Sequence, residues 1–133
     1  MPLYVADISI PPSTPKDDPV TVNVKLDSGI LRKVWVIIPP GHAALAHLVI
    51  KWGATQIIPY VGDIHGDNEQ LVFDEWIEIN EPERVLTLVG WNEDIQYTHR
   101  FIVRFLVLPR EVAMPELRIL QPLRVLMEAM GVI

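Results

Sequence analysis

The segment Val20-Thr21-Val22-Asn23-Val24-Lys25-Leu26 alternates apolar and polar residues without a fault. Successive side chains of an extended chain point to opposite faces, so Val20, Val22, Val24 and Leu26 share one side, and the segment reads as a half-buried strand. The rest of the chain is made of the same material. It holds 16 Val and 15 Ile, whose branched Cβ atoms favour pleated strands over helices. Comparable runs fall at 3–10, 30–38, 44–51, 55–60, 71–79, 84–89 and 98–108, giving eight strands in all. Turn chemistry separates them at Asp27-Ser28-Gly29, Pro39-Pro40-Gly41, Gly62-Asp63, Asn80-Glu81-Pro82 and Asn92-Glu93-Asp94. The expected fold is all-β, an antiparallel two-sheet sandwich of the jelly-roll kind. Alternation places Val22, Val24, Trp35, Ile37, Phe73, Ile77, Leu86, Leu88, Phe101, Val103 and Phe105 inside it.

Two segments depart from this pattern. Residues 11–19 hold a cluster of prolines and read as an extended arm or long loop. After Met114 the period changes: Pro115 and Glu116 suit a first helical turn, Pro122 interrupts it, and Leu123, Leu126, Met127 and Met130 follow at i, i+3, i+4 and i+7. The tail 115–133 is therefore expected to be helical, with those four residues forming a stripe that docks on protein. A free helix this short is marginal in water.

The bulk numbers limit the rest. At 133 residues the chain fits one domain, residues 1–133. Hydrophobic residues make up 50% of it, and the mean hydropathy is +0.25. That is high for a protein whose whole surface meets water, so part of the apolar surface is expected to meet protein. No apolar stretch approaches the roughly 20 residues needed to span a bilayer, so no membrane is expected. The opening residues carry no basic region before an apolar core, which fits use inside a cell or release by lysis. Cysteine is absent, excluding disulfides and thiolate chemistry. A net charge of −6 with scattered Lys and Arg argues against nucleic acid. The 12 prolines and the scarcity of Ser, Asn and Gln would suit a hot habitat.

No group of residues completes a catalytic centre. Gly62-Asp63-Ile64-His65-Gly66 resembles the first metal motif of the calcineurin-like metallophosphoesterases, in which an Asp and a His two residues on hold a metal at a strand end. That family's later motifs are missing, and the segment reads as a turn; the oxygens of Asp63, Asp67 and Glu69 would suit calcium if a cation bound there at all. The cupin pattern is incomplete too: Ala44 stands where Pro39-Pro40-Gly41 would need a histidine three residues on, and His42 and His47, five apart, would lie on opposite faces of a strand. Ser9, Ser13 and Ser28 lie in ordinary strand or turn contexts, no phosphate loop exists, and His99 reads as a hydrogen-bonded structural residue. Catalytic residues, cofactor and metal ligands are accordingly read as none. Trp35, Trp52, Trp76 and Trp91 are read as core or interface anchors.

In architecture, this acidic, cysteine-free sandwich with a proline segment and an amphipathic tail resembles the small jelly-roll or β-sandwich proteins that decorate phage and virus capsids. The resemblance implies a non-enzymatic homo-oligomer, often a trimer, seated on a capsid lattice and found in the virion. A carbohydrate-binding sandwich and a metal-dependent jelly-roll enzyme fit the same architecture.

Overall fold

The computed structural model describes residues 3–80 and 84–109. The tail stripe of Leu123, Leu126, Met127 and Met130 lies outside them.

Eight strands run in order: β1 (Leu3–Ile10), β2 (Val20–Lys25), β3 (Gly29–Ile38), β4 (Ala46–Trp52), β5 (Thr55–Ile58), β6 (Glu69–Ile79), β7 (Val85–Asn92) and β8 (His99–Leu108). They form two four-stranded antiparallel sheets, β1-β8-β3-β6 and β2-β7-β4-β5. Chain neighbours such as β1 and β2, or β3 and β4, thus sit in opposite sheets, and this strand order is that of a jelly roll. Among the described residues no helix is long and apolar enough to cross a membrane.

The core lies between the sheets. Ile8 and Ile10 of β1, Val34 and Val36 of β3, Leu48 and Ile50 of β4, Leu86 and Leu88 of β7, and Phe101, Val103 and Phe105 of β8 interlock there. Val22, Val24, Phe73 and Ile77 pack against that cluster as partly buried residues. Gly90 faces the same interior, where a Cβ would come within 2.4 Å of Ile10 Cδ1, so β7 can approach β1 only with no side chain at that position.

Trp35 and Ile37 correct the alternation reading: they lie on the outer face, and Val34, Val36 and Ile38 point in. A β-bulge between Leu31 and Lys33 is the cause. Because the side-chain period is two, one extra residue reverses the faces of everything beyond it. Arg32 sits at the irregularity, with its guanidinium 4.8 Å from the Trp76 ring centroid and its Nη1 donating to the Glu75 carbonyl.

Antiparallel pairing brings four connections to one end of the sandwich: residues 11–19, 39–45, 59–68 and 93–98. The proline segment is folded back there. Ser13 N donates to Asp94 O, and Asn92 N donates to Thr14 O.

Candidate functional site

The register of the first sheet fixes what its outer face presents. One row across the strands is Leu3, Leu106, Lys33 and Asp74; the next is Val5, Arg104, Trp35 and Val72; the third is Asp7, Ile102, Ile37 and Gln70. Apolar side chains fill most of these positions, with a Trp beside an Arg at the centre. Leu3, Val5 and Val72 are 54%, 59% and 49% exposed. Among the described residues nothing covers this face.

The second sheet's outer face also carries apolar residues, but they are shielded: Val49, Val89 and Trp91 are only 4%, 9% and 7% exposed. These three are absent from the main core, so they form a separate layer on the far side of the sheet. The proline segment lies over it. Lys16 Nζ stands 5.2 Å from the Trp91 ring centroid, and Lys16, Pro19, Gln56 and Gly62 close a groove of about 320 Å³ above Val49 and Val89.

All four histidines of the chain gather at the loop end, in two pairs. His42 and His99 form the inner pair, with ring centroids 4.7 Å apart. His42 Nε2 lies 2.9 Å from the Arg100 carbonyl and donates to it, and His99 Nε2 lies 2.7 Å from Asp94 Oδ2. Burial pushes the His42 imidazole below its ordinary value, partly opposed by the Arg100 carbonyl. Asp94 is held low, first by the Gln96 amide and then by His99. Beside them the buried Asn92 side chain donates to Ile10 O and Tyr97 O and accepts from Asp94 N, fastening three chain segments together.

The outer pair is His47 and His65, joined by Asp63. Ile64 bridges Leu48 through two backbone hydrogen bonds of 2.8 and 2.9 Å, and both of these residues point inward. Their chain neighbours therefore face outward together: His47 on β4, and Asp63 and His65 on either side of Ile64. His47 Nδ1 lies 2.6 Å and His65 Nδ1 2.8 Å from the same oxygen, Asp63 Oδ1. Burial raises the Asp63 carboxyl, but the two histidine contacts outweigh it and the group ends below its ordinary value. His47 stacks on Trp91, with centroids 5.3 Å apart and planes 10° from parallel, and its Nε2 looks toward Glu93 Oε1 at 3.5 Å. One ligand atom from each of His47, Asp63 and His65 can be drawn from within a 4.8 Å span, the geometry of a metal-binding group.

The structure therefore gathers a different set from the one weighed in the sequence. Asp63 and His65 stand together, but His47 joins them in place of Asp67 and Glu69. Asp67 Oδ1 instead accepts from the Gly41 and His42 amides at 2.8 and 2.9 Å, which ties down the 39–45 loop. His42 and His47 do not share a strand: His42 is buried in the 39–45 connection, beside His99 and Phe101 of β8, and His47 stands on the outer side of β4.

No known family model matches the chain, and no curated protein matches it by sequence. Solved structures resemble it in architecture. The Yersinia pseudotuberculosis-derived mitogen is 12% identical, with a TM-score of 0.42 over 80% of this chain and 86% of that one. A chain of the cyanophage Pam1 capsid asymmetric unit is 11% identical, with a TM-score of 0.46 over 81% and 84%. Hydroxypropylphosphonic acid epoxidase from S. wedmorenis is 10% identical, with a TM-score of 0.41 over 78% of this chain but only 43% of the enzyme. These likenesses extend to the β-sandwich and say nothing of what this chain does.

Proposed function

We propose that the chain is a non-enzymatic assembly protein, and that the outer face of its first sheet docks on a second copy of itself. The observation that carries the reading is the apolar band that crosses all four strands of that face, about half exposed at Leu3, Val5 and Val72 and partly exposed at Trp35, Ile37, Ile102 and Leu106. A contiguous patch of this kind marks a contact surface. Its composition supports the same reading, since Trp and Arg are enriched at the energetic centres of interfaces and here Trp35 and Arg104 pair at the middle. Four strands about 4.8 Å apart, each offering roughly eight residues at about 3.3 Å, give on the order of 500 Å² of sheet face. Two such faces bury roughly 1,000 Å², about where specific interfaces begin. A second copy is thus large enough to fill the role, and the tail stripe of Leu123, Leu126, Met127 and Met130 would add to the contact.

A homo-oligomer of this kind, trimeric or otherwise, would suit a capsid lattice, and the capsid-decoration reading is the most specific form of the proposal. Light scattering on the intact chain tests it. The wild type should have the mass of an oligomer at micromolar concentration, and a Val5→Glu/Val72→Glu variant should have the mass of a folded monomer. A monomeric wild type, or a variant with unchanged mass, would overturn the proposal.

A further inference from the structure

We propose that His47, Asp63 and His65 bind one divalent transition ion, with zinc as the best fit, through His47 Nδ1, Asp63 Oδ1 and His65 Nδ1. The inference is independent of the docking face, which lies on the other sheet.

Donor accounting carries the argument. His47 sits between two carboxylates, with Asp63 Oδ1 at its Nδ1 and Glu93 Oε1 at its Nε2. A neutral imidazole has one N–H. If that proton is on Nδ1, the buried Nε2 turns a lone pair toward Glu93 and has no hydrogen-bond partner. If it is on Nε2, two acceptors meet at 2.6 Å. An imidazolium would serve both carboxylates, and so would a metal ion on Nδ1, since the proton then belongs on Nε2 and faces Glu93 at 3.5 Å. Ligating histidines are commonly oriented in this way, one nitrogen on the metal and the other N–H toward a carboxylate. The ion would also balance the two carboxylate charges.

The donor set selects the ion. Two imidazole nitrogens and one carboxylate oxygen suit zinc or a neighbouring transition metal, whereas calcium and magnesium favour all-oxygen shells. Metal bonds of about 2.0–2.1 Å in a tetrahedron separate ligand atoms by roughly 3.3 Å. The present 2.6 and 2.8 Å contacts must therefore open by roughly half an ångström. His65, whose side chain is 51% exposed, has room to swing, while His47, only 12% exposed and stacked on Trp91, is already set. Three protein ligands leave a fourth position for water. The ion would join β4 to the 59–68 connection at the edge of the second sheet.

The test uses the intact chain stripped with a chelator, then titrated separately with zinc and with cobalt(II). One equivalent of either should bind, cobalt should give the visible absorption of a tetrahedral site, and zinc should raise the melting temperature. H65A, which alters an exposed side chain and should fold, is expected to lose at least 100-fold in affinity together with the zinc-induced melting shift. Glu93→Gln should weaken binding about 10-fold through His47, and Glu69→Gln should leave it unchanged. No saturable binding by the wild type, or equal affinity in wild type and H65A, would overturn the site; either result can occur whatever the oligomeric state.

Discussion

The two outer faces of the sandwich begin from similar material and end differently. Each carries a Trp with β-branched neighbours, but on the second sheet the chain's own proline segment and the 59–62 turn shield Val49, Val89 and Trp91. On the first sheet Val5, Trp35 and Val72 have no such cover among the described residues. Apolar residues outside the core are therefore not themselves anomalous here: one layer has an intramolecular lid, and under the proposed function the other receives an intermolecular one.

If this is right, matched tryptophan truncations should behave oppositely. Trp91→Ala should destabilise the isolated subunit by about 3–5 kcal/mol, as a core truncation does, read by denaturant unfolding below the association concentration. Trp35→Ala under the same conditions should cost less than about 1 kcal/mol yet weaken association by at least about 2 kcal/mol, as a central interface residue does. Equal unfolding costs in the two variants would erase the distinction between the faces.

Asn92→Ala probes the loop end, where both sheets meet. It removes the donor that Ile10 O and Tyr97 O share, and it should cost about 1–3 kcal/mol while freeing the 93–98 connection to faster amide exchange. A variant as stable as wild type, with exchange unchanged, would mean that the loops hold without this pin.

The inner histidine pair gives a pH dependence. Burial lowers the His42 value from 6.5, so the folded state favours the neutral ring. The resulting stability is present above about pH 6.5 and is lost as pH falls through the lowered value. The Arg100 carbonyl and the Asp67 charge moderate the loss, and His99 beside the ring adds to it. His42→Gln should flatten the stability profile on the acid side of 6.5; an unchanged profile would assign the acid sensitivity to other groups.

The smallest effect is expected from Lys16→Ala. Its contact with Trp91 should be worth about 0.5–1 kcal/mol, so thermal unfolding should shift slightly and association not at all.

Much of the fold is legible in the sequence, because alternation and turn residues are local signals. The eight strands come from runs such as 20–26 and from breaks such as Asp27-Ser28-Gly29. Facing is harder in β3, where Val34-Trp35-Val36-Ile37-Ile38 is apolar throughout and the bulge at Arg32, which sets the phase, leaves no mark in composition. The outer histidine cluster is half legible. Asp63 and His65 stand out as a local pair, but His47 reaches them only through the Leu48–Ile64 bridge, a contact that no spacing in the chain announces. Asp67, close in sequence, is taken by the backbone of another loop.

The central claim is that the outer face of the first sheet meets a second copy of this chain, and side-chain footprinting with hydroxyl radicals across a dilution series tests it most directly. Val5, Trp35 and Val72 should be protected at high concentration and become reactive on dilution, while Thr21 and Asn23 on the outer side of the second sheet stay equally reactive throughout. Reactivity at Val5 and Val72 that does not change with concentration would contradict the claim: uniformly high reactivity would leave the face without a partner, and uniformly low reactivity would mean the chain covers it by itself.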